Sequence, residues 1–169
     1  AQIKNFLDKA HANGMKVSIT STLNEQLPSK SKSTPWPATN QQWTDWINLW
    51  KNHPALWGWY ISDEPELYNP PAYTYLSSNP GYYSLAKAAD PNHYVWLVNS
   101  GAISTTWDNV RDLYSVDLYP KNNVNAEWES SQTRQSYDYW KNAYDQAKSK
   151  GKLPFLMVAK GMGLGYQNY

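Results

Sequence analysis

The stretch LWGWYISDEPE (residues 56–66) decides how the rest of the chain is interpreted. Its first six residues are apolar or aromatic, which is typical of a parallel β-strand buried on both faces. The run leads directly into Asp63, Glu64 and Pro65, so two carboxylates follow the predicted strand. Ligands of parallel α/β folds bind at this carboxyl end, which makes Asp63 and Glu64 candidate site residues. Alternatively, one of them caps the helix that follows.

The segments on either side of this stretch alternate between helix and strand. Apolar residues recur at helical spacing in residues 2–12, 40–52 (with Asn40 as N-cap), 71–89 and 129–149, and a short turn or helix covers 107–112. Short apolar runs indicate strands at residues 16–20, 56–61, 94–98, 115–118 and 154–159. Such alternation predicts parallel strands joined by right-handed crossovers. We therefore expect one α/β domain over residues 1–169, with five parallel strands alternating with helices.

Composition narrows the classes of function. Charged residues make up 17% of the chain and the net charge is +1 with no Lys/Arg cluster, so no nucleic-acid or membrane partner is expected. No apolar run is long enough for a transmembrane helix, and residues 1–7 are typical of an amphipathic helix rather than a signal peptide. The lack of cysteine excludes disulfides. No metal-ligand spacing or phosphate-binding glycine motif occurs, so we expect no cofactor.

The aromatic residues are unusually polar, with 10 Trp and 14 Tyr against 2 Phe. Trp and Tyr combine a flat apolar face with a polar group, which suits the C–H faces and hydroxyls of sugars. Many of these rings are expected in the core, above all the stripe of Trp43, Trp46, Ile47 and Trp50 at helical spacing. Two others fall in loops on the predicted cleft side and are candidate sugar platforms, namely Trp36 and Trp107.

Polar side chains at the ends of the later predicted strands complete the candidate site. Asp117 is a candidate base, nucleophile or hydroxyl acceptor, and Tyr119 is a candidate substrate contact. Asn99 is a candidate ligand for a substrate hydroxyl, and Lys160 for a carboxylate or a sugar oxygen. Each of these side chains has the alternative of a purely structural hydrogen-bonding role.

Residues 56–66 resemble the fourth-strand segment of the clan A glycoside hydrolase barrels, in which an Asn-Glu-Pro or Asp-Glu-Pro motif presents the acid/base glutamate. Residues 11–17, 90–93 and 114–120 resemble the entry to the third strand, the turn before the fifth and the sixth-strand segment. The resemblance implies a partial TIM (β/α)8 barrel made of the third to seventh units. It also implies that Glu64 is the general acid/base, that the substrate is a β-linked poly- or oligosaccharide, and that the protein is secreted.

The chain departs from this family at the seventh strand. The family's nucleophile is a second glutamate there, whereas the matching position falls near Lys160 and no acidic residue follows. Three interpretations stay open: Asp117 is the second carboxylate, the chain is a non-catalytic carbohydrate-binding or truncated barrel module, or it belongs to an uncharacterised related barrel family. An unrelated flavodoxin-like fold is a further alternative. Five strands cannot close such a barrel, so flanking strands, self-association through exposed edges or an open half-barrel is expected.

Overall fold

The computed structural model describes residues 2–20, 39–65, 76, 80–99, 105–116, 138 and 141–156. The strands are β1 (Val17–Thr20), β2 (Leu56–Asp63), β3 (Tyr94–Asn99), β4 (Leu113–Val116) and β5 (Leu153–Leu156). The helices are α1 (Gln2–Ala12), α2 (Asn40–Trp50), α3 (Tyr82–Ala89), the 3-10 helix η1 (Thr105–Val110) and a helix over residues 141–149. The predicted alternation is confirmed. None of these described helices is long and apolar enough to cross a membrane.

The five strands form one parallel sheet in the order β1-β2-β3-β4-β5. Each strand therefore pairs with the strand that comes next in the chain. A flavodoxin-like sheet has the order 2-1-3-4-5, so that alternative is wrong. Strands paired in chain order are the arrangement found in the wall of a (β/α)8 barrel, and the described sheet has the architecture of part of such a barrel.

The two faces of the sheet are buried in separate apolar layers. On β3, Val95 and Leu97 belong to the layer that holds the buried residues of α1, α2 and α3, and we call this side the helix face. Trp96 and Val98 belong to a second layer with Leu113, and we call this side the inner face. Neighbouring residues of a strand point to opposite faces of the sheet. The two layers therefore cover the two faces, as in other parallel sheets.

The tryptophan stripe of α2 packs on the helix face as predicted. Trp43 and Ile47 are fully buried, and Trp46 and Trp50 pack against the same layer. The start of the helix differs from the prediction, because Thr39 rather than Asn40 is the N-cap. The Gln42 N–H donates to Thr39 Oγ1, and the Thr39 N–H donates to Gln42 Oε1, at 3.2 Å each. This reciprocal capping box gives partners to the Gln42 N–H and the Thr39 N–H at the start of the helix.

β4 (Leu113–Val116) begins two residues before the predicted start at residue 115, and residues 117 and 118 of the predicted strand lie outside the described residues. Asp112 explains the earlier start. Its N–H donates to the Val95 carbonyl at 2.7 Å, and the Val95 N–H donates to its carboxylate at 2.9 Å. This pair of hydrogen bonds attaches the chain to β3 one residue before Leu113, and the ladder continues from there.

A buried carboxylate, Asp90, joins α3 to the strands. It ends the helix and is 3% exposed. Its carboxylate accepts hydrogen bonds from Trp59 Nε1 at 2.9 Å and from the Asn92 N–H at 3.3 Å, and it contacts His93 Nδ1 at 2.7 Å. Trp59 is fully buried on the helix face of β2. Asp90 therefore ties the turn before β3 to the neighbouring strand.

Replacing this carboxylate is expected to destabilise the fold strongly. Asp90→Ala leaves the buried Trp59 N–H without its acceptor, and we expect a loss of about 2–4 kcal/mol in the free energy of unfolding, measured with urea. The control is Asp145→Ala, which removes an exposed ion pair with Lys141 and should cost about 0–1 kcal/mol. Equal losses in the two variants would contradict the structural role of Asp90.

Candidate functional site

A β-bulge in β2 shapes the carboxyl end of the sheet. Tyr60 pairs with Trp96, but Ser62 pairs with Leu97 and Asp63 with Val98, so Ile61 is an extra residue in β2. Beyond the bulge the alternation of side chains is inverted. Asp63 therefore lies opposite an inner-face residue and shares that face with Tyr60, three positions earlier. Bulges redirect side chains in this way and are frequent beside active sites.

Aromatic side chains of β2 and β3 pack on the inner face of the sheet next to Asp63. The Tyr60 and Trp96 rings stack with centroids 4.5 Å apart and planes 28° apart. Trp96 Nε1 donates to Ser18 Oγ at 2.6 Å, a bond that reaches across β2 from β3 to β1. The Tyr60 hydroxyl donates to Asp63 Oδ1 at 2.5 Å. Asp63 is thus held next to an aromatic pair of β2 and β3 that is hydrogen-bonded to β1.

Glu64 follows β2 in an unusual backbone conformation. Its φ is 41°, which makes it the one non-glycine residue with positive φ in the described part of the chain. It also precedes Pro65, and the residue before a proline favours extended backbone with negative φ. The Glu64 N–H donates to the Val98 carbonyl at 2.9 Å, which holds this conformation against β3. Its side chain is half-buried. Backbone strain of this kind gathers at functional sites.

Two substitutions of Glu64 separate the effect of its backbone strain on stability from the effect of its carboxylate. Glu64→Gln keeps a residue with a Cβ in the left-handed region, whereas Glu64→Gly relieves the clash that such a residue meets there. We expect the glycine variant to be more stable than the glutamine variant by about 1 kcal/mol in urea unfolding. Equal stability, or a more stable glutamine variant, would show that the conformation stores no strain.

Asn99 lies within the fold rather than at an open site. It is fully buried on β3, and Arg111 Nη1 donates to its Oδ1 at 2.5 Å. Arg111 is also fully buried, lies 3.8 Å from the centre of the Tyr114 ring and donates to Asp108 at 2.9 Å. This placement favours the structural role of Asn99 over contact with a substrate hydroxyl.

Asp108 is the anionic centre of the same network. It accepts from Arg111, from the Tyr114 hydroxyl and from Lys150, which follows the helix over residues 141–149. Burial opposes the charge of Asp108, but the hydrogen bonds from Lys150, Tyr114 and Arg111 outweigh it and lower the pKa of the carboxyl group from its ordinary value of 3.8. The cluster joins η1, β4 and the last described helix.

The lowered pKa predicts how the stability contribution of Asp108 depends on pH. Its carboxylate stabilises the fold above the unfolded-state value of 3.8, and this contribution is lost as the pH falls through the lower folded-state value. We expect Asp108→Asn to cost about 1–3 kcal/mol at pH 7 and progressively less below pH 3.8. Urea unfolding of wild type and variant at several pH values measures this difference. A difference that does not shrink in acid would contradict the ion-pair role.

The remaining predicted site residues divide into two groups. Trp107 lies on η1 and is 4% exposed in the helix-face layer, so its ring is covered by the core rather than presented to a sugar. The others lie outside the described residues: Trp36, Asp117, Tyr119 and Lys160. The structure places Asn99 directly after Val98, the partner of Asp63 and Glu64 on β3, but it buries both Asn99 and Trp107 in the core.

Three residues of the site were not predicted as such, namely Ser18, Tyr60 and Trp96. Their positions in the predicted strands placed them in the core, and alternation within each strand does not show that Ser18 and Trp96 share a face, because that depends on the register of β1 and β3 against β2. The bulge that joins Tyr60 to Asp63 has no sequence signal. Within the described residues, no group of three His, Asp or Glu side chains is arranged to bind a metal ion.

Comparisons with known proteins find similarity in structure alone. No protein-family model matches the chain, and no curated protein matches it. A GH2 beta-galacturonidase from Eisenbergiella tayi, solved with galacturonate, matches with a TM-score of 0.54 and 21% identity, over 95% of this chain and 28% of that one. A beta-glucuronidase from Parabacteroides merdae matches with a TM-score of 0.48 and 14% identity, over 78% of this chain and 16% of that one.

The match to the galacturonidase bears on the fold. The chain spans 28% of the galacturonidase chain, and 21% identity between them is too low to carry over any residue's role. What the first match shows is that the described sheet and its helices follow the course of part of a glycosidase chain. The fold of this protein is therefore glycosidase-like.

Proposed function

We propose that this chain carries the acid/base side of a glycoside hydrolase site, with Glu64 as the general acid/base and a β-linked poly- or oligosaccharide as substrate. The observation that carries the proposal is the strained Glu64, held by Val98 at the carboxyl end of β2 beside the hydrogen-bonded Asp63. The glycosidase-like fold supports the same class of reaction.

Glycoside hydrolysis matches the chemistry of this end of the sheet. An acid must protonate the leaving oxygen while charge develops on the sugar ring. Glu64 is half-buried and directly follows Asp63, which is hydrogen-bonded to the aromatic residue Tyr60 on the inner face. Asp63 is an acceptor for a sugar hydroxyl next to that acid. The two adjacent carboxylates therefore have separate tasks, proton transfer and substrate orientation.

The second catalytic carboxylate in this proposal is Asp117, which follows Val116, the last residue of β4. The distance between its carboxyl group and that of Glu64 would decide the stereochemistry. A separation of about 5–5.5 Å favours retention, and about 6.5–9.5 Å favours inversion, because the wider gap admits the attacking water. A secreted location belongs to the same proposal, and self-association along the edges β1 and β5 stays a prediction.

The decisive test compares Glu64→Gln with wild type on two kinds of β-glycoside. The panel includes galacturonides and glucuronides, after the names of the two similar structures. On disaccharides, whose leaving group needs a proton, we expect kcat to fall at least about 100-fold. On p-nitrophenyl glycosides the loss should be smaller, because p-nitrophenolate departs without protonation.

The matched control is Asp45→Asn, which alters an exposed carboxylate on α2 that accepts from Gln41. It should leave both substrates unaffected. Unchanged turnover of disaccharides by Glu64→Gln, or an equal loss on both kinds of substrate, would remove Glu64 from the role of acid.

The alternative function is a non-catalytic carbohydrate-binding module. It is favoured by one observation, the absence of Asp and Glu from residues 157–169, where the resembling family has its nucleophile. In that case the wild-type chain binds a glycan without hydrolysing it, and Trp36→Ala abolishes binding. Turnover by the wild type that is lost in Glu64→Gln decides for the enzyme.

A further inference from the structure

The hydrogen bond from Tyr60 to Asp63 depends on the bulge of β2. Residues three positions apart in a regular strand point to opposite faces. The extra residue Ile61 cancels this inversion, and only then can the Tyr60 hydroxyl reach Asp63 Oδ1 at 2.5 Å. The bulge and the bond are thus one local arrangement, located immediately before Glu64.

The position of the Tyr60 hydroxyl is fixed by the contacts of its ring with Trp96. Its ring stacks on Trp96 at 4.5 Å, and Trp96 is 6% exposed, so the indole has little room to move. The indole N–H is anchored on Ser18 at 2.6 Å. A phenol held in this way defines one direction for the carboxylate that accepts its hydrogen bond.

Asp63 has a second carboxylate oxygen. Among the described residues, the side chain of Asp63 makes one hydrogen bond, the one from Tyr60, and it engages Oδ1. With Oδ1 fixed, rotation of the carboxylate is restricted and Oδ2 has a defined direction at the rim of the site. An acceptor fixed in this way is preorganised for a hydroxyl of the sugar bound beside Glu64.

We propose that Tyr60 is a positioning residue of this site, which acts on a bound sugar through Asp63 and does not itself contact the substrate. The inference rests on the proposed function, since it concerns the same sugar and the same acid. It predicts that the Tyr60 hydroxyl matters for turnover more than for stability. It also predicts that the hydroxyl has no effect once Asp63 is removed.

The test is a double-substitution cycle on the full chain with the disaccharide that the wild type hydrolyses. Tyr60→Phe removes the hydroxyl and keeps the ring stack. We expect kcat to fall roughly 10- to 100-fold with little change in KM, because sugar hydroxyl contacts strengthen in the transition state. Asp63→Ala should lower kcat at least as much. Adding Tyr60→Phe to Asp63→Ala should change it less than about 2-fold.

The matched control is Tyr83→Phe. Tyr83 also donates to a carboxylate, Asp112 Oδ1 at 2.8 Å, but that pair lies at the amino end of β4, away from Glu64. Its loss should leave kcat and KM unchanged. Urea unfolding of both tyrosine variants shows whether either is destabilised.

The outcomes separate this inference from the proposed function. If Glu64→Gln abolishes turnover while Tyr60→Phe behaves like Tyr83→Phe, the positioning role is overturned and the acid role stands. The positioning role is also overturned if Tyr60→Phe is unfolded under assay conditions, or if it still lowers kcat in the Asp63→Ala background. If no wild-type turnover is found, or if Glu64→Gln is fully active, the proposed function fails and this inference fails with it.

Discussion

Burial of the sheet on both faces is the constraint on which the rest of the structure depends. The helices α1, α2 and α3 pack on one face of the sheet, and aromatic side chains pack on the other. Most polar groups that are buried in such a sheet find a partner inside the protein. Asn99 illustrates this, since Arg111 satisfies it within the core. Reactive side chains are consequently confined to the strand ends, and Asp63 and Glu64 lie at one of them.

The inserted residue Ile61 determines which side chains lie at the carboxyl end of β2. It turns Asp63 toward the aromatic inner face, and the chain then enters the left-handed conformation of Glu64. Both departures from regular geometry cost free energy, and the fold offsets the cost with the bonds to Tyr60 and to the Val98 carbonyl. Strain that is maintained by specific contacts is expected where a side chain must be presented in a set direction.

The sequence predicted the order and type of the elements because periodicity and strand hydrophobicity are local properties. It did not predict features that depend on partners distant in the chain. The start of β4 depends on the bonds between Asp112 and Val95, and the burial of Asn99 depends on Arg111. The bulge in β2 is a matter of register against β3, which no local pattern encodes. For this reason Asp63 and Glu64 were recognised, whereas Tyr60 was assigned to the core.

Two tyrosine–carboxylate pairs at opposite ends of the sheet differ in a way that supports the proposal of a ligand at one end. Asp112 accepts from Tyr83 through Oδ1 and from Lys87 and the Val95 N–H through Oδ2, so both of its oxygens are engaged. Burial of the Tyr83 hydroxyl raises its pKa, and the hydrogen bond to Asp112 raises it further. At the carboxyl end Asp63 is engaged through one oxygen among the described residues. Both carboxylate oxygens of Asp112 have partners, whereas the described residues give Asp63 a partner at Oδ1 alone, and this difference supports the proposal that Asp63 Oδ2 accepts a hydrogen bond from a substrate hydroxyl.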